Sequence, residues 1–280
     1  MPAIVNASQD PRVEQLFNQQ QQSIWRWTDR NFGYLMFFQF LFGIFAAFTI
    51  SPITWEGEIP ETHIHVWAAL LLGGLITSLP LFLAFAYPGQ TFTRHIIAIG
   101  QMLMGALLIH LTGGRIETHF HVFGSLAFLA CYRDWKVLVT GTLVVAADHF
   151  LRGIFWPRSV FGVYLDEPFR WLEHVGWVLF EDLFLFVSIY QGVRQSRTLA
   201  QQQFDLEVGK SVVESERDRF FDLSVDMLCV ANVDGYFVNL NPMFSVKLGY
   251  ETGELLRQPA IQFVHPDDQA SAAKAFRQLR

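Results

Sequence analysis

The chain has 280 residues, a formal net charge of −6, 16% charged and 51% hydrophobic residues, and 28 phenylalanines. Charge is well below the roughly 25% of ordinary soluble domains, which excludes a disordered chain and argues against a wholly soluble globule. The acidic balance argues against nucleic acid as a partner, and neither Cys131 nor Cys229 sits in a CxxC or CxxCH pattern that would hold zinc or covalent haem.

Residues 1–30 carry Arg12, Arg26, Arg30, the run Gln19 to Gln22, and Trp25 with Trp27. The pattern predicts a cytoplasmic amphipathic segment lying on the membrane surface. Then the charges stop. None occurs in 31–53, 66–92, 96–114, 118–132 or 137–147, and 171–193 holds only Glu173, Glu181 and Asp182. A membrane span takes about 20 apolar residues, fewer when it is packed in a bundle. The chain is therefore expected to form a mostly α, six-helix transmembrane bundle over 31–193, with spans near 31–53, 66–87, 92–111, 118–133, 136–155 and 171–193. A large soluble helical core is the competing reading, and five charge-free runs weigh against it. Flanking basic residues fall eight to four on the side of the N-terminus, counting Arg12, Arg26, Arg30, Arg94, Arg133, Lys136, Arg194 and Arg197 against Arg115, Arg152, Arg158 and Arg170. This predicts a multi-pass membrane protein with both termini cytoplasmic.

Eight of the nine histidines lie in this region. Glu61-Thr-His63-Ile-His65-Val-Trp67 recurs as Glu117-Thr-His119-Phe-His121-Val-Phe123. Six matched positions predict two related helical hairpins. His110 ends the third span, His149 stands in the outer half of the fifth, and His174 opens the sixth. Seven histidines (His63, His65, His110, His119, His121, His149 and His174) thus share the outer leaflet level, and an ionisable residue in a span is a functional candidate. Glu61, Glu117, Asp148 and Glu173 are near enough to ligate or to support the ligands. Imidazole with carboxylate suits transition metals. One or two ions of iron, copper or zinc are expected, without thiolate ligands. Bis-His haem b, using His110 with His149 or His174, is the alternative cofactor. Helix-linking histidines and a proton-sensing cluster are further readings. In a helix His63 and His65 would point apart, and both could face one ion only from an extended segment. Glu181, seven residues after His174, with its neighbour Asp182, is expected to carry the state of the site down the sixth span. Arg133-Asp134-Trp135-Lys136 reads as a tight inner turn.

Residues 194–219 are polar. Leu199, Leu206, Val213 and Phe220 repeat every seven, half of a coiled-coil seam. A connecting signalling helix follows, either solvated alone or joining a parallel homodimer.

The last segment contains strand-like Asp226 to Ala231, the turn Val233-Asp-Gly235, a return strand Tyr236 to Asn239, a helix between Asn241-Pro-Met-Phe244 and Leu248-Gly-Tyr250, and His265-Pro-Asp-Asp268 opening another helix. Residues 220–280 with these motifs resemble the first half of an α+β PAS domain. The resemblance implies three further strands beyond Arg280 and a C-terminal output such as a histidine kinase, diguanylate cyclase or chemotaxis-type module. A two-component system with a response regulator as partner follows if the output is a kinase. The whole resembles the input region of a bacterial membrane-bound PAS-containing sensor kinase, with no catalysis expected in these 280 residues. A di-metal membrane oxidoreductase regulated by the PAS domain is the enzymatic alternative, and a transporter a third.

Overall fold

A computed structural model describes residues 10–162 and 169–278. The first nine residues of the amphipathic segment therefore lie outside the described residues. The chain divides into two compact units, 1–203 and 204–280.

In the first unit Asp10 caps α1 (Pro11–Ile50), its carboxylate accepting from Arg12 N, with Pro11 at the first helical position. The helix does not break at residue 30. The surface segment and the first span are one 40-residue element. Its inward face is Phe32, Met36, Gln39, Gly43 and Ala47, while Phe38, Leu41, Phe42, Phe45 and Phe48 are exposed. A row of large apolar side chains on the outer face is the arrangement expected where lipid is the solvent, and Gln39, Gly43 and Ala47 supply the polar and small residues of the packed face. A hairpin follows, β1 (Ile53–Glu56) against β2 (Ile59–Thr62), antiparallel with Ile53 opposite Thr62. Next come α2 (Ile64–Trp67), a π-helical turn over Ala68–Leu72, and α3 (Gly73–Ala86).

The helix α4 (Thr91–Leu111) is the most buried of the apolar helices and packs on α1, α3, α5 (Ile116–Leu129) and α6 (Trp135–Phe155). Its Ile97, Met102 and Ile109 form the core with Leu126, Leu129, Tyr132 and Leu138. Gly100 lets α3 come close: a Cβ there would stand 2.6 Å from Pro80. Buried Gln101 donates to Ser125 Oγ at 2.8 Å, a tie between α4 and α5 worth about 0.6 kcal/mol in a bilayer. A 3-10 turn, Ala130–Tyr132, ends α5; α7 (Pro157–Phe161) follows α6; and α8 (Arg170–Leu223) is a 54-residue helix.

Among the described residues four helices are long and apolar enough to cross a membrane: Pro11–Ile50, Ile64–Ala86, Thr91–Leu111 and Trp135–Phe155. The fourth expected span is the 14-residue α5, and the sixth is the part of α8 that carries Glu181 and Asp182. The two halves of the expected duplication also differ locally. Glu61 and Thr62 belong to a strand, whereas Glu117 to His121 are helical.

In the second unit β3 (Cys229–Ala231) pairs antiparallel with β4 (Phe237–Leu240). Asn232 Oδ1 holds the turn by accepting from Asp234 N and Tyr236 N, and Gly235 takes φ 84°. The short α9 (Met243–Leu248) stops at Gly249 with φ 78°. Leu240, Phe244 and Leu255 of α10 (Thr252–Leu256) make a small core. A 3-10 turn at Pro266–Asp268 leads into α11 (Gln269–Gln278).

Candidate functional site

The seven outer histidines separate into two groups and a single residue. His119 from α5, His149 from α6 and His174 from α8 form a triad. Their ring centroids lie 5.6 Å (His119 to His149), 5.3 Å (His119 to His174) and 5.7 Å (His149 to His174) apart. Each Nδ1 rests on the carbonyl four residues earlier: His119 on Arg115 at 2.9 Å, His149 on Val145 at 3.1 Å, His174 on Arg170 at 3.2 Å. A carbonyl only accepts, so each Nδ1 carries a proton, and a ring without a second proton keeps its lone pair on Nε2. His119 Nε2 is buried without a partner. A cavity of about 20 Å³ lies between the three rings, walled by Val122, Val145 and Val178. A wider pocket of about 460 Å³ shares His119 and His174, with Phe120, Phe123 and Trp177 as walls and Arg170 and Glu173 beside them. As the side chains stand, no group of three or more His, Cys, Asp or Glu among the described residues closes round an ion.

His63, His65 and His110 form the second group. His63 caps α2 in extended conformation (ψ 144°), its Nδ1 accepting from His65 N at 3.1 Å. The hairpin ahead of α2 delivers it in this form. The His63 and His65 rings then meet at 4.3 Å, His65 meets His110 at 4.8 Å, and His110 meets Trp156 at 4.8 Å.

His121 joins neither group. In the helical second copy it turns away from His119 and faces Gln39 Nε2 at 2.7 Å and Ser125 Oγ at 3.4 Å. His95 pairs with Thr140 at 2.8 Å. Glu61 stands opposite Thr54 in the hairpin, and Glu117 is exposed in the first turn of α5.

Asp148 connects the two groups. Arg152 donates twice to it, at 2.7 and 2.5 Å, and His149 Nδ1 is 3.4 Å from its Oδ2. Arg152 also donates to Ser159 Oγ at 3.0 Å, and Ser159 Oγ lies 3.0 Å from His110 Nδ1. A continuous polar chain therefore runs from the triad to the His63 group. Sequence reasoning missed Arg152 and Ser159, whose roles depend on α7 folding back.

On α8, Asp182 is the carboxylate buried in the bundle, with Thr142 Oγ1 at 2.6 Å. Glu181 sits at the edge, one oxygen buried and unpartnered. At the inner end Arg133, in left-handed conformation (φ 53°), donates to Gly192 O at 3.2 Å and Ser196 Oγ at 2.5 Å. Asp134 pairs with Arg94 at 3.0 Å. The tight inner turn read from the sequence thus also ties α8 to the bundle.

Comparison with known proteins gives two results. Residues 215–280 match the PAS fold family. A transducer protein, Htr8 of Halobacterium salinarum, is 26% identical over 172 residues, 57% of this chain and 26% of its own length. The chain thus spans about a quarter of that relative. No solved structure matches. A PAS-containing sensor protein is the class these findings support, with a role in sensing and transducing a signal.

Proposed function

We propose that the chain is the input part of a multi-pass, six-span membrane receptor whose His119, His149 and His174 hold a transition metal ion. The observation that carries this reading is the shared tautomer. Three neutral imidazoles, each oriented by a backbone carbonyl, offer three lone pairs and no proton to one small cavity. A cation answers that demand, and carbonyl-held Nδ1 is the usual support for metal-ligating histidine. Three imidazoles on a tetrahedral ion have ring centroids about 5 Å apart, close to the spacing found. Each ring now rests on its carbonyl, and closing the set round an ion needs the rings to shift from where they stand. Three protein ligands leave one position open for a small signal such as a gas or an oxidant; alternatively the ion itself is the signal.

His174 begins the helix that enters the PAS segment, so a change in its ligation moves α8 directly. The transducer relative supports an output beyond residue 280. A kinase acting on a response regulator is one form of that output, and dimerisation through 194–219 fits either form.

The test is elemental analysis with an optical spectrum of the full chain, purified in detergent without a metal-affinity tag. About one equivalent of transition metal without a Soret band is expected from a three-ligand site. His119→Ala should lose the metal and His121→Ala should keep it. A Soret band with iron moves the reading to haem b. A metal-free protein that also binds no added zinc, copper or iron overturns it.

A further inference from the structure

A second site lies at the other end of the bundle. A cavity of about 670 Å³ opens between α1, the end of α5 and α8, within the range of small-molecule pockets. Its polar lining is Ser23, Thr28, Arg133, Ser188, Gln191 and Gln195, and no acidic residue among the described residues lines it. Ser188, Gln191 and Gln195 of α8 are exposed there. Arg133 is bonded to two neutral oxygens, Gly192 O and Ser196 Oγ, so the wall keeps a positive charge. Ile24 and Leu185 supply an aliphatic side, and Trp27 is 67% exposed on the rim. Arg26 and Arg30 line the neighbouring cleft on α1.

One cation, several hydroxyl and amide donors, no carboxylate and an aliphatic flank suit a phosphodiester that carries acyl chains. We infer that this cavity binds an anionic phospholipid of the inner leaflet, its headgroup against Arg133 and Gln195 and a chain along Ile24 and Leu185. A lipid is favoured over a soluble phosphate because the donors and the aliphatic wall belong to one cavity, rimmed by an interfacial tryptophan. The lipid would bridge α1 and α8 beside the Arg133 tie, so the setting of the output helix would depend on the anionic lipid content of the membrane.

Cys131 lines the cavity and is exposed, which makes it a reporter. The experiment uses the full chain carrying Cys229→Ser in nanodiscs and follows alkylation of Cys131 by iodoacetamide. Added phosphatidylglycerol should slow the reaction about fivefold relative to phosphatidylcholine alone, the equivalent of about 1 kcal/mol for one basic contact. In the same phosphatidylglycerol discs, Arg133→Gln and Gln195→Met should react faster than the parent. The comparison at fixed lipid removes the effect of surface charge on thiol reactivity. Gln195→Met keeps the side-chain length at an exposed position, so it decides alone if Arg133→Gln fails to fold. Equal rates with and without phosphatidylglycerol overturn the proposal. So do equal rates for parent and Gln195→Met. Protection by soluble glycerol phosphate in phosphatidylcholine discs, as strong as that by the lipid, also overturns it.

Discussion

Asp29 shows how a single side chain can hold distant segments. It is fully buried, and it accepts from Gly89 N at 2.6 Å and from Tyr132 OH at 2.7 Å. Three loops and helices meet on it, and Trp25 adds a bond from its Nε1 to Tyr132 O at 2.9 Å. Asp29→Ala would leave a buried phenol and a buried amide unpaired, at about 1–3 kcal/mol each. Thermal unfolding in detergent should show a clear drop in Tm for Asp29→Ala. Asp29→Asn, which keeps one acceptor oxygen, should show a smaller one. If both variants melt with the parent, Asp29 does not hold the inner end. Nothing in the sequence pointed to this residue. Its partners are 60 and 103 positions away, and no spacing rule links them. The histidines were the reverse case. Their repeat stood out, yet the repeat alone could not sort His119 from His121. That sorting depends on whether each copy is strand or helix, which the β1–β2 hairpin decides for one copy only.

At the level of the element, α8 carries the argument. Along its first part it is attached by His174, Asp182 and the Gly192–Ser196 turn. Gly192 leaves room for Arg133 there: a Cβ would stand 3.1 Å from its Nε. Further on, Leu199, Leu206, Val213 and Phe220 are 49%, 74%, 65% and 72% exposed. Four large apolar side chains in one row with no cover are what a second copy of the helix would bury. Leu206→Cys and Val213→Cys should form disulfide-linked dimers on oxidation in native membranes. Ser211→Cys, on the opposite side of the heptad, should not. Equal cross-linking at all three positions would remove the seam as the contact. The heptad was legible in the sequence because it obeys a period. The polar ties at Asp182 and Arg133 were not, because each needs a partner on another helix to be recognised.

The whole molecule presents apolar surface over helices long enough to cross a bilayer, and its basic residues are unequally shared between the two ends. On the proposal that both termini lie inside, the β1–β2 hairpin faces out. A membrane-impermeant maleimide applied to intact cells should label Glu58→Cys. It should label Gln90→Cys and native Cys131 only after lysis. Label on Gln90→Cys in intact cells would invert the topology. Charge-free runs revealed the apolar helices at once. They could not show that the first span and the N-terminal segment are one helix, since Arg26, Asp29 and Arg30 interrupt the apolar pattern without interrupting the backbone. In the second unit the turn residues Gly235 and Gly249 guided the local reading, because each supplies a backbone conformation that few other residues adopt readily.

The π-helical turn at Ala68–Leu72 gives α2 a freedom that an ordinary helix lacks. A turn of this kind holds one residue more than its neighbours, and such a surplus can be passed along a helix or removed. One residue is about 100° of rotation. The outer end, with His63 and His65, can therefore be dialled round while α3 and its packing against α4 stay fixed. Deleting one residue from Ala68–Leu72 would tighten the turn and swing His65 about a quarter of a circle off His110. The His65 to His110 ring contact should then vanish from the NMR cross-peaks between their imidazole protons, and the melting temperature should fall, because the same swing takes Val66 out of its buried cluster with Ala47 and Leu108. The bundle would thus carry a rotary joint at its outer rim, set one helical turn below the histidines that it steers.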